Sequence, residues 1–128
     1  LTATDPSDFQ FKSAMGLSCP DDANCDAKYA GFFNQVYGAA KRYQYYVRHE
    51  SQYAYHAGAL NYVRYNPNAG CGGSDVYIEN KATALLYIYT PYQPNEAALK
   101  AGAGEGDACS TYGNRNFAII YNSMFGNP

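Results

Sequence analysis

Four cysteines, Cys19, Cys25, Cys71 and Cys109, constrain the folding of this 128-residue chain more than any other feature of it. Their spacing matches no zinc-binding pattern, because there is no C-x-x-C and the two histidines, His49 and His56, stand alone. No metal site is expected. Disulfide chemistry remains, and four cysteines allow three pairings. Cys19 and Cys25 bracket a Pro-Asp-Asp turn, so we expect Cys19–Cys25 and the distant pair Cys71–Cys109. Two bridges imply an oxidising home, outside the cell or at its surface. No signal peptide is present, as expected of a mature form or an excised domain.

The length suits one domain spanning 1–128, large enough to bury a core without a cofactor, and none is expected. Net charge is −2 and the nine Lys and Arg residues are scattered, so nucleic-acid binding has no electrostatic footprint. No apolar run approaches the ~20 residues of a membrane helix, and no membrane insertion is expected. The aromatic balance is more telling: 15 Tyr and 6 Phe, but no Trp. That many phenols cannot all sit in one small core with their hydroxyls satisfied, so several belong at the surface.

The spacing of Tyr29, Phe32, Phe33, Val36, Ala40, Tyr43 and Val47 predicts an amphipathic helix over about 26–48, capped by Asp26, with Phe33, Val36 and Ala40 buried. Between 50 and 79 the period shortens. "SQYAYHAG", "ALNYVRYNPNAG" and "DVYIE" read as three short strands of a small antiparallel sheet, about 53–79. "NKATALLYIYT" returns to helical spacing, with Ala82, Leu85, Leu86 and Tyr89 on one stripe, until Pro91 stops it. A short helix follows Pro94 and Asn95 and ends at Gly102. Asn114 is expected to cap a last helix, with Phe117, Ile120, Tyr121 and Met124 inward and Gly126 at its end. The fold class is therefore α+β, predominantly helical.

Acid–base chemistry on a glycan needs carboxyl groups in a groove. Glu50, Asp75, Glu79, Glu105 and Asp107 exist, but each reads as a solvated charge. Glu50 is the only carboxylate next to the long helix and stands as a weak catalytic candidate. No nucleophile, phosphate loop or calcium site is recognisable. The polar-aromatic residues carry more information. Gln35, Tyr65, Asn66, Tyr89 and Tyr92 combine amides, which hydrogen-bond hydroxyl and N-acetyl groups, with rings that stack on sugar faces. Against this, amides also cap turns and rings also cover cores.

Three stretches, "AMGLSCPDDANCDAKYAGFFNQVYGAAKRYQYY", "YNPNAGCGGSDVYIENKATALLYIYTPYQPN" and "GDACSTYGNRNF", together resemble a domain of secreted actinobacterial cell-surface proteins. Those proteins look like members of the lysozyme-like superfamily of muramidases, lytic transglycosylases and N-acetylglucosaminidases. The resemblance implies a lysozyme-like domain whose Asn-Pro to Ala-Thr passage forms a wall of a glycan cleft. It also implies a general-acid Glu on a helix upstream of Leu1, and it sets Lys81 where the glucosaminidases place a Tyr. The expected partner is a cell-wall glycan, peptidoglycan or a related amino-sugar polymer, with this chain alone inactive. The alternatives are a non-catalytic adhesin or assembly module that presents a Tyr-rich face to other surface proteins and, more remotely, a disulfide-stabilised toxin or inhibitor.

Overall fold

The structure, a computed structural model, describes residues 2–20 and 23–126. Two compact units follow one another along the chain, 1–49 and 50–128. Among the described residues are five α-helices and a two-stranded antiparallel sheet, an α+β arrangement.

In the first unit, α1 (Asp8–Lys12) is a single turn closed by a capping box. Ser7 Oγ accepts from the Gln10 backbone N–H, and the Gln10 side chain accepts from the Ser7 N–H. The Cys19–Cys25 bridge forms as expected, while Asp21 and Asp22 of the turn it brackets lie outside the described residues. The long helix α2 covers Phe32–Arg48 and starts later than the apolar spacing suggests. Asp26 caps only a local turn: its side chain accepts from the Lys28 N–H, and its carbonyl from Tyr29 and Ala30. Gly31 then adopts φ +97°, a backbone state that breaks one helical path and opens the next.

The buried face of α2 also differs from the expected one. Gln35, Ala39 and Tyr46 are buried, whereas Phe33 is 72% exposed and Val36, Ala40 and Val47 are exposed too. Leu17 explains the shift. Its side chain packs against the bare Cα of Gly38, where an added Cβ would come within 2.7 Å of Leu17 Cδ2. The loop before the helix thus covers the face of Gln35, Gly38 and Ala39 rather than the aromatic stripe.

In the second unit, "SQYAYHAG" is not a strand. A 3-10 turn at Glu50–Gln52 leads into a loop whose backbone is held by Asn61: Oδ1 accepts from the His56 N–H, and Nδ2 donates to the carbonyls of His56 and Ala59. The two strands that do form are β1 (Ala59–Arg64) and β2 (Gly73–Ile78), in register from Ala59 opposite Ile78 to Arg64 opposite Gly73. Val63 and Ile78 are fully buried, while Leu60, Tyr62 and Tyr77 face outward, the alternation of a sheet with one covered face. Helix α3 (Lys81–Tyr89) is capped by Asn80 and stops at Thr90, before Pro91. Its buried residue is Ala84, with Leu85, Leu86 and Tyr89 half-buried and Ala82 exposed. Helix α4 (Glu96–Lys100) is capped by Asn95 and followed by Gly102 at φ +62°.

The last helix, α5 (Gly113–Phe125), reverses its expected orientation. Arg115 is its buried residue, and Phe117, Ile120, Tyr121 and Met124 are exposed. Asn114 does not cap it; Nδ2 donates instead to the carbonyls of Thr90 and Tyr92. Arg115 is held inside because its guanidinium donates to the carbonyls of Ala98 and Gly104, both at 2.8 Å, and lies over the Tyr112 ring. One guanidinium nitrogen thus satisfies both carbonyls. None of the described helices is long and apolar enough to cross a membrane.

Candidate functional site

The stretch "TPYQPN" joins α3 to α4 and is stitched to the hairpin along its length. Tyr92 forms a parallel bridge with Arg64, and the Gln93 N–H donates to the Arg64 carbonyl at 2.9 Å. The Gln93 amide donates to the Val63 and Ser74 carbonyls and to the Ser74 hydroxyl, so one side chain ties the elbow to both strands. Two prolines preset the bends on either side. Behind the elbow, Tyr55 donates to the Pro91 carbonyl and its ring lies 5.8 Å from that of Tyr87. Burial raises the pKa of both phenols; Tyr92 adds to the rise at Tyr55, and Arg64 opposes it.

In front of the elbow a shallow cleft of about 570 Å³ opens beside the second disulfide, Cys71–Cys109. Tyr65, Asn95, Glu96, Lys100 and Asp107 supply its chemistry. Lys100 and Glu96 form an ion pair across one helical turn of α4, at 2.6 Å. Asp107 accepts from the Asn95 amide, the Cys109 N–H and the Ser110 hydroxyl, and these bonds hold its carboxyl below the ordinary range. Thr111 donates to the Tyr65 carbonyl, joining the far loop to the hairpin. The result is a preset rim of one ring, one amide and three charged groups, two carboxylates and an ammonium.

Of the residues expected to bind, Tyr65, Asn66, Tyr89 and Tyr92 belong to this second unit. Tyr65 lines the cleft. Asn66 uses Oδ1 to accept from the Asn68 N–H, shaping the turn between the strands. Tyr92 sits on the elbow beside Arg64, and Tyr89 ends α3, each half-buried. Gln35 belongs to the first unit and is fully buried. Its Oε1 accepts from the N–H groups of Met15 and Leu17, and its Nε2 donates to the carbonyls of Leu17 and Tyr29. That amide has no surface to offer a ligand.

Glu50 pairs with Lys81 at 2.9 Å, and the ammonium group lowers its pKa, the opposite of what a general acid requires. Ser110 lies among Asn95 and Asp107, with no histidine among its hydrogen-bond partners. Among the described residues no group of three or more His, Cys, Asp or Glu is placed to hold a metal ion.

Asn95, Glu96 and Lys100 escaped the reading of the sequence as site residues, and Asp107 entered it only as a solvated charge. Two signals pointed to them. The Glu96–Lys100 spacing marks a helical ion pair, and the Cys71–Cys109 bridge carries the Gly-rich loop to the hairpin. A separate hollow of about 480 Å³ in the first unit is lined by Phe11, Phe32, Gln10 and small neutral residues, without a charged group to orient a ligand. No family model, curated protein or solved structure matches this chain.

Proposed function

We propose that this is an extracellular cell-wall domain that holds an amino-sugar glycan, peptidoglycan or a related polymer, in the cleft beside Cys71–Cys109 and does not cleave it. The observation that carries the reading is the rim itself. A half-exposed Tyr65 stands with Asn95, Glu96, Lys100 and Asp107 around an open, shallow hollow. Such a shape suits one stretch of a long hydroxylated chain better than an enclosed small molecule. The disulfides fit an oxidising location. The helix–hairpin–helix order is compatible with the lysozyme-like resemblance, in which cleavage would require a glutamate supplied from outside these residues.

The test is titration of the chain with chitooligosaccharides and muropeptides, followed by amide NMR shifts. Shifts should concentrate at Tyr65, Asn95 and Lys100, and Tyr65→Ala should weaken binding at least ~tenfold, or ~1.4 kcal/mol. Absence of binding at millimolar ligand would reject the reading. A second reading, a protein-binding adhesin or assembly module, is favoured by the outward face of the hairpin, where Leu60, Tyr62 and Tyr77 are all largely exposed.

A further inference from the structure

Helix α5 carries an apolar stripe that none of the described residues covers. Phe117, Ile120, Tyr121, Met124 and Phe125 recur at i, i+3, i+4, i+7 and i+8, the pattern of a face made for burial. Yet each is between 39% and 71% exposed. The rings are already ordered along the stripe, with Tyr121 6.0 Å from Phe117 and 5.1 Å from Phe125. We infer that this stripe is a dimerisation surface, covered by the α5 stripe of a second copy in an antiparallel pair.

Charge and area choose the occupant. Beyond the buried Arg115, α5 carries no charged side chain, so two copies meet without like-charge repulsion. A two-fold axis near Tyr121 sets Phe117 of one copy beside Phe125 of the other, which makes the stripe self-complementary. Taking ~200 Å² for a whole aromatic side chain and slightly less for Ile and Met, the exposed fractions leave about 500 Å² per copy. The pair then buries ~1,000 Å², at the lower bound for a specific interface, so the dimer is weak and concentration-dependent. A glycan does not suit the stripe, because its hydroxyls would meet only one polar group there, the Tyr121 phenol. An anionic membrane surface does not suit it either, because the one basic residue of α5, Arg115, is buried and bonded to backbone carbonyls.

Sedimentation of the chain between about 1 and 300 µM tests this, with a dissociation constant expected on the order of 10–100 µM. Ile120→Glu and, separately, Met124→Gln should each raise that constant at least ~tenfold, with the far-ultraviolet spectrum unchanged. Tyr121→Cys should cross-link to itself under mild oxidation. A chain that stays monomeric at the highest concentration overturns the inference. So does a dimer indifferent to both substitutions, or binding of α5 to anionic vesicles without self-association.

Discussion

Gln35 and Phe33 lie two positions apart in α2 and should respond in opposite ways to truncation. Gln35→Ala removes an amide that serves four backbone groups around the 15–19 loop and Tyr29, each buried or half-buried. Leaving such groups unpaired costs ~1–3 kcal/mol apiece, moderated by water entry, so a loss of about 3 kcal/mol in chemical unfolding is expected. Phe33→Ala removes a ring that stacks on Tyr37 but is mostly in water, and it should cost under ~1 kcal/mol. A residue-scale pH effect sits on the same helix. Burial, and then the neighbouring Tyr46 phenol, push the Tyr43 pKa up to about 12. A raised folded value means that the neutral phenol is favoured by the fold. Its stabilisation is complete below pH ~10 and is lost as pH rises through about 12. Ultraviolet titration should show Tyr43 ionising late, and Tyr43→Phe should remove that late step.

The elements were legible where a cap, a proline or a bridge marks them. Asn95 opens α4 with its side chain as a cap, Pro91 follows the end of α3, and both cysteine pairs form as their positions suggested, whereas Asp26 and Asn114, the other expected caps, bond elsewhere. The first strand was misread because alternation in "SQYAYHAG" says nothing about a pairing partner. At Arg64 the elbow residues Tyr92 and Gln93 already occupy the outer edge of β1, and Asn61 holds the preceding loop in turns. Helix phase was the other failure. Periodicity finds the most apolar face, but α2 buries Gln35 and Ala39 and α5 buries Arg115, where hydrogen bonds decide. The cleft was half legible: Tyr65 stood out as a ring near amides, while Lys100 and Asp107 needed the tertiary fold. At this scale Gly73 is the test. An added Cβ would run into the Val63 carbonyl and stand 2.8 Å from Arg64 Cα, so Gly73→Ala should cost about 1–3 kcal/mol by thermal unfolding. Replacing Cys71 and Cys109 together with Ala opens a span of 38 residues and should cost about 4 kcal/mol by chain entropy.

At the scale of the whole molecule, the proposal separates holding a glycan from cutting it, and the two can be measured on one sample. Cleavage needs a carboxyl group that remains protonated near neutral pH and reaches the glycosidic oxygen, help typically worth ~10²–10⁴-fold in rate. The carboxyls of Glu50 and Asp107 have pKa values displaced downward, Glu50 through Lys81 and Asp107 through Asn95 and the Cys109 N–H. A depressed carboxyl is ionised throughout the neutral range and can accept a proton only at acid pH. The chain should therefore co-sediment with purified cell walls without reducing their turbidity, at neutral pH and over hours. Glu50→Gln should leave co-sedimentation unchanged, because Glu50 does not line the cleft, whereas Tyr65→Ala should release the protein into the supernatant. Clearing of the walls that disappears in Glu50→Gln would place the acid where the Lys81 pair argues against it.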